Sequence, residues 1–236
     1  MRLPFGDVTS TVQIIAHRGA SSAERENTVA AFHRAAAMSA DAVELDVRVA
    51  ADGALVVHHD PALDDGVRVA SLPRAELPAH VPTLAEALDA CAGMWVNVEI
   101  KNSPGDPDFD PDAKVADATV ALLRERGDTD RYLISCFDIA TLDRCRGLAP
   151  EIATAFLSVD APDGIAATLA SRGHRAFHPW HPIVTPDLVE ECHAAGVDVN
   201  VWTCDDPERM AELIAWGVDG ICTNLPDLAL DVRNSA

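Results

Sequence analysis

Five stretches of the chain place polar or ionisable side chains directly after, or inside, short apolar runs. His17-Arg18-Gly19 follows Ile14-Ile15-Ala16, and Glu44-Leu45-Asp46 lies between Ala42-Val43 and Val47. His58-His59-Asp60 follows Leu55-Val56-Val57, Glu99-Ile100-Lys101 follows Val96-Asn97-Val98, and Trp202-Thr203 closes Val197–Val201. Charged groups are costly to bury unless they are paired or bind metal. Side chains two apart on a strand share a face. Glu44 and Asp46 therefore point one way, and so do Glu99 and Lys101. Three carboxylates converging on one point form an all-oxygen donor set, which suits a hard cation, Mg²⁺ or Ca²⁺, better than Zn²⁺. Arg18 and Lys101, one of only two lysines in the chain, supply positive charge for an anionic group. The imidazoles of His17 and His59 transfer protons near neutral pH. A cation, two fixed positive charges and two imidazoles together suit hydrolysis of a phosphoryl ester.

Each signal alone has a plainer explanation. Glu44-x-Asp46 also fits the exposed face of an edge strand, a lone His17 fits a structural histidine, and Glu99 and Lys101 could simply pair with each other. Their shared position at strand ends favours a common site. Asp106, Asp108, Asp110 and Asp112 alternate as in a calcium loop. An EF-hand needs Gly at its sixth position and Glu at its twelfth, where this chain has Pro111 and Asp117, so a solvated acidic loop at the rim is expected. Of the adjacent His58 and His59, one is expected to be catalytic, and the register favours His59. Cys136 reads as packing, and His178 and His181 read as loop histidines that could touch a substrate.

The elements that must position these residues follow from the alternation along the chain. Strands are expected at Val12–Ala16, Ala42–Val47, Trp95–Lys101, Tyr132–Ser135, Ile152–Phe156, Arg175–Phe177, Val197–Val201 and Gly220–Cys222. Helices are expected at Thr28–Ala40, Thr83–Ala92, Ala113–Arg126, Ile139–Leu148, Asp163–Arg172, Pro186–Ala195 and Pro207–Trp216, with a short one after Pro226. Thr185-Pro186 and Asp206-Pro207 read as N-cap followed by Pro in the first turn, and Gly127 and Gly173 read as C-terminal stops. Eight β-then-α units in one series predict a (β/α)₈ barrel, a single domain over residues 1–236, with a short insertion after the second strand that begins with the extra run Leu55–His58. An open doubly wound sheet is the alternative, but no G-x-G-x-x-G follows the first strand. In such a barrel the active site lies at the C-terminal ends of the strands, where the charged groups fall.

Composition bounds the partners. The 236 residues are 48% hydrophobic and 24% charged, ordinary for a globular chain. Their net charge of −20 repels phosphate backbones and anionic lipid surfaces, which argues against nucleic-acid and membrane partners. Six scattered cysteines without a C-x-x-C pair suit a reducing compartment. The N-terminal residues MRLPFGDVTSTVQIIAHRGA lack the apolar core of a signal peptide, so a cytoplasmic location is expected. The sequence carries no signal for an oligomeric state.

His17-Arg18-Gly19-Ala20-Ser21, Glu26-Asn27-Thr28, Glu44-Leu45-Asp46-Val47, Val57-His58-His59-Asp60, Glu99-Ile100-Lys101, Val201-Trp202-Thr203, Gly217-Val218-Asp219-Gly220-Ile221 and Thr223-Asn224-Leu225-Pro226, in this order, resemble the glycerophosphodiester phosphodiesterase family. The resemblance implies a TIM-type barrel that uses a divalent cation to hydrolyse glycerophosphodiesters to sn-glycerol 3-phosphate and an alcohol. It implies Glu44, Asp46 and Glu99 as metal ligands, His17 and His59 as the acid/base pair, and Arg18 and Lys101 as phosphate-side cations. It also implies Glu26 as a residue orienting Arg18, and Trp202 as a pocket wall. The chain departs from the family pattern at Arg25, where Pro is usual, and in a short 61–82 segment containing Asp64-Asp65-Gly66. Other readings are a zinc amidohydrolase-type barrel, for which the first strand lacks H-x-H, a barrel that binds phosphate metabolites without catalysis, and a related phospholipid phosphodiesterase.

Overall fold

Strands and helices alternate throughout the computed structural model, which describes residues 11–236. The expectation of no signal peptide therefore falls, for residues 1–10, outside the described residues. The order is β1 (Gln13–Ala16), α1 (Val29–Ala37), β2 (Ala42–Val49), β3 (Leu55–Val57), α2 (Leu84–Ala90), β4 (Trp95–Ile100), α3 (Lys114–Arg126) and β5 (Tyr132–Cys136). Then come α4 (Ile139–Leu148), β6 (Ala153–Ser158), α5 (Ile165–Arg172), β7 (Ala176–Pro179), α6 (Pro186–Ala194), β8 (Asp198–Val201), α7 (Pro207–Ala215), β9 (Gly220–Thr223) and α8 (Pro226–Ser235). The helices start where side chains can satisfy free N–H groups. Thr28, Thr83, Asp138, Thr185 and Asp206 each accept from the first turn of the following helix, and Thr83 with Glu86 forms a reciprocal capping box.

The parallel strands run β1-β9-β8-β7-β6-β5-β4-β2, and β1 also pairs with β2, which closes the barrel. This is the expected (β/α)₈ architecture. The extra strand β3 pairs antiparallel with the end of β2, Val47 opposite Val57. It ends at Val57, one residue earlier than the sequence suggested, so His58 and His59 both lie in the segment just beyond it. The insertion that follows packs a small core of its own from Ala50, Val56, Val69, Leu77 and Val81.

Strand periodicity fixes what faces inward. Ile15, Ala42, Trp95, Leu133, Ala155, Ala176 and Cys222 form one buried cluster contributed by seven of the eight barrel strands, and this is the barrel interior. Two larger clusters lie between the sheet and the helices. Ala42 faces inward, so Glu44 and Asp46 do too; Trp95 faces inward, so Asn97 and Glu99 do too. The register sets Glu44 opposite Asn97 and Asp46 opposite Glu99. No helix among the described residues is long and apolar enough to cross a membrane.

Candidate active site

Glu44, Asp46 and Glu99 meet at the C-terminal mouth. One carboxylate oxygen from each lies within 4.8 Å of the others, and all three side chains are essentially buried. Burial, together with the neighbouring acids Asp46 and Glu99, pushes Glu44 well above the usual carboxylate range. Burial also raises Glu99, although Lys101 opposes it. Burial would raise Asp46 as well, but the positive charges of Lys101 and Arg18 outweigh it and hold this carboxyl at about 2. Buried oxygens Glu44 Oε1 and Asp46 Oδ1 accept no hydrogen bond. Unsatisfied buried carboxylate oxygens are expensive, and three hard oxygen donors around one point fit a divalent cation.

Two basic side chains border this cluster. Lys101 Nζ lies 2.7 Å from Glu99 Oε1 and 3.6 Å from Asp46 Oδ1. Lys101 thus pairs with Glu99 and also borders the carboxylate cluster. Glu99, first, and Asp46 raise the ammonium above its usual value against the opposing effect of burial. Arg18 Nη1 donates to both oxygens of Glu26 at 2.9 and 3.0 Å, and its Nε lies 3.3 Å from Asp46 Oδ2.

The first loop is bent to make these contacts. Arg18 and Asn27 both have φ of 57°, a left-handed conformation that non-glycine residues seldom adopt. Their strain is offset by bonds within the loop and into the acidic strand. The Arg18 N–H donates to Glu44 Oε2 at 2.9 Å, the Asn27 N–H donates to Arg18 O at 2.9 Å, and Asn27 Nδ2 donates to Asp46 Oδ2 at 2.7 Å. Gly19 also has positive φ, and a Cβ there would lie 2.7 Å from Ala31, so no larger residue fits the turn.

The two histidines sit on different supports. His17 Nδ1 is 2.7 Å from Asn224 Oδ1, and burial, then Arg18, lowers its pKa. His59 Nδ1 is 2.7 Å from Asp60 Oδ1, and its pKa is also lowered, by burial first, while Asp46 opposes. His59 stands in the field of Asp46, Lys101 and Arg18. His58 Nδ1 instead lies 2.9 Å from the carbonyl two residues on, Asp60 O. Arg48, on the inward face of β2 beyond Asp46, donates to His59 O at 2.8 Å and pairs with Asp108 at 2.5 Å. Asp108 is therefore not simply solvated, as the acidic run suggested. Asp110 likewise accepts the N–H groups of Asp112 and Lys114 at the start of α3.

The other half of the mouth is aromatic. Trp202 packs edge-on against Phe137 at 5.4 Å, and its indole N–H donates to His178 O at 2.7 Å. His178 itself is buried, receives Asn200 Nδ2 at 3.0 Å and is pushed down to about 3, so it is a neutral packing histidine. His181 lines a separate groove with Arg209 and Trp216. All six cysteines are free and buried, and burial raises the Cys136 thiol to about 12. Arg25 and Asp64, both departures from the family pattern, pair with each other at 2.6 Å. They border a pocket of about 160 Å³ lined also by Glu26, His58, His59 and His80. Sequence reasoning did not single out Asn27, Arg48, Phe137, Asp205 or Asn224. Asn27 and Asn224 stood inside the quoted motifs, whereas Arg48 carried only the period-two spacing from Asp46.

The closed barrel is shared with solved structures, and the sequence with named relatives. A glycerophosphodiester phosphodiesterase of Caldanaerobacter subterraneus is 30% identical over 249 aligned positions, covering 93% of this chain and 96% of that protein. A phosphodiesterase of Oleispira antarctica, solved in complex with the product sn-glycerol-3-phosphate, superposes with a TM-score of 0.87 at 27% identity, covering 95% of this chain and 97% of that one. A glycerophosphodiester phosphodiesterase from Parabacteroides distasonis superposes with a TM-score of 0.84 at 26% identity, covering 95% and 98%. Fold and relatives define a (β/α)₈-barrel hydrolase of phosphoric diesters. The match of residues 17–228 to the model of the glycerophosphoryl diester phosphodiesterase family places the chain in that family.

Proposed function

We propose that this barrel hydrolyses glycerophosphodiesters to sn-glycerol 3-phosphate and an alcohol, with one Mg²⁺ or Ca²⁺ held by Glu44, Asp46 and Glu99. The observation that carries this reading is the meeting of three buried carboxylates with Arg18, Lys101 and two imidazoles at one barrel mouth. When bound, the cation supplies charge that lowers the cost of negative charge on the phosphoryl oxygens. Arg18, oriented by Glu26, and Lys101 hold the phosphodiester against the net charge of −20, which is screened over a Debye length of ~8 Å while they act in contact. Trp202, backed by Phe137, forms the apolar wall beside the organic part of the substrate.

Proton transfer falls to the histidines. A leaving alkoxide is strongly basic and needs a proton, and the attacking hydroxyl must lose one. His17 is kept neutral by burial and Arg18, which suits the acceptor. His59 has the carboxylate of Asp60 on Nδ1, which with Asp46 offsets part of the lowering by burial and suits the donor better than an amide partner would. A glycerol 2-hydroxyl adjacent to the phosphate is a ready nucleophile, and its attack gives a cyclic phosphate that water then opens.

The test is His17→Ala and His59→Ala, assayed separately on glycerophosphocholine. Each is expected to lower kcat roughly 10²–10⁴-fold. Near-normal turnover by His59→Ala together with an inactive His58→Ala would assign the donor to His58 and contradict this arrangement.

A further inference from the structure

The geometry points to a positioning relay, Asp205–Asn224–His17, that fixes His17 in the tautomer with its proton on Nδ1 and its lone pair on Nε2. This deepens the reading above and rests on His17 being the proton acceptor. Three loops meet at the relay: the turn after β1, the β8–α7 loop and the turn after β9. Asp205 Oδ2 accepts from Asn224 Nδ2 at 2.7 Å, while its Oδ1 accepts from the Asn224 N–H and from Thr223 Oγ1, both at 2.8 Å. An ionised carboxylate only accepts, so the Asn224 amide must turn its NH₂ toward Asp205 and its oxygen the other way. That oxygen receives Ser21 Oγ at 2.8 Å and faces His17 Nδ1 at 2.7 Å. A carbonyl oxygen cannot donate, so Nδ1 must carry the hydrogen. In the neutral ring, Nε2 is then the atom able to take a proton.

The backbone supports the same arrangement. The His17 N–H donates to Thr223 O at 2.9 Å, and the Ser22 N–H donates to Asn224 O at 3.2 Å, so the ring and its partner are carried by interlocked turns. The group in contact with His17 Nδ1 is a neutral amide, so the Asp205 carboxylate stands one residue further back; the Asn224 bond favours the imidazolium, but burial and Arg18 outweigh it. His59, with Asp60 on the equivalent nitrogen, has the opposite arrangement.

Long-range ¹H–¹⁵N correlation spectra of the ¹⁵N-histidine-labelled full chain read the tautomer directly, with His17→Gln assigning the signals. The expected result is a protonated Nδ1 and a bare Nε2 in the unaltered protein at pH 8. Asn224→Leu is expected to shift the ring toward the Nε2–H tautomer and to lower kcat on glycerophosphocholine roughly 10–10²-fold with KM little changed. Asp205→Asn, which frees the amide to rotate, is expected to do the same to a smaller degree. Asp205→Asn combined with Asn224→Asp restores an acceptor facing Nδ1 and is expected to restore the Nδ1–H signal. A bare Nδ1 in the unaltered protein overturns the relay, whether or not any variant folds. So does a folded Asn224→Leu variant with an unchanged tautomer. A shifted tautomer with unchanged kcat supports the relay and instead removes His17 from the role of proton acceptor.

Discussion

At the scale of single residues, the site stores electrostatic cost in return for chemistry. Glu44 is buried beside Asp46 and Glu99, with one oxygen unsatisfied. In the metal-free protein, Glu44→Gln removes this repulsion and is expected to raise stability by about 1 kcal/mol while abolishing the rise in Tm on adding Mg²⁺ or Ca²⁺. Thermal melts of both proteins with EDTA and with cation measure this, and an equal cation-induced shift in the variant would contradict the ligand assignment. His178 gives a pH dependence of known sign. Its folded pKa is depressed from 6.5 to about 3, so its stabilising effect is complete above pH 6.5 and erodes as pH falls toward 3. Urea titrations from pH 7 to pH 4 should show a smaller stability loss in His178→Asn than in the unaltered protein.

At the scale of elements, what was legible in the sequence was whatever obeys a short period. Eight strand–helix units, the capped starts at Thr185 and Asp206, and the common face of Glu44 and Asp46 all follow from spacing. The end of β3 was off by one residue because the ladder with β2 stops at Val57: the His58 N–H still reaches Asp46 O, but the chain bends at His59. The contacts made by polar side chains across loops were not legible. Nothing local in the acidic run 106–112 tells that Asp108 reaches a buried arginine 60 positions earlier. Arg48 joins β2, the segment carrying His59 and the acidic loop. Arg48→Leu leaves Asp108 and His59 O without that partner and is expected to cost about 3 kcal/mol. Urea denaturation checks the stability loss, and a cost below about 0.5 kcal/mol would show that the buried pair is not a structural tie.

At the scale of the whole molecule, the barrel divides its mouth. β1, β2 and β4, with the segment after β3, bring the carboxylates, both fixed cations and both imidazoles, while β5 and β8 lead directly into Phe137 and Trp202. An anionic phosphate and an organic alcohol need such a division, and closure of the sheet between β1 and β2 brings Arg18 beside Glu44 and Asp46. The family resemblance supplied the roles of these residues, and the fold supplies the reason residues from positions 17 to 224 meet at one mouth. The most direct test is ³¹P NMR of glycerophosphocholine incubated with EDTA-treated protein, with and without added Mg²⁺ or Ca²⁺, alongside Glu44→Gln. The account predicts sn-glycerol 3-phosphate from the unaltered protein only when cation is added, and turnover at least about 10²-fold lower from Glu44→Gln. Undiminished product from the EDTA-treated protein, or from Glu44→Gln, would contradict it.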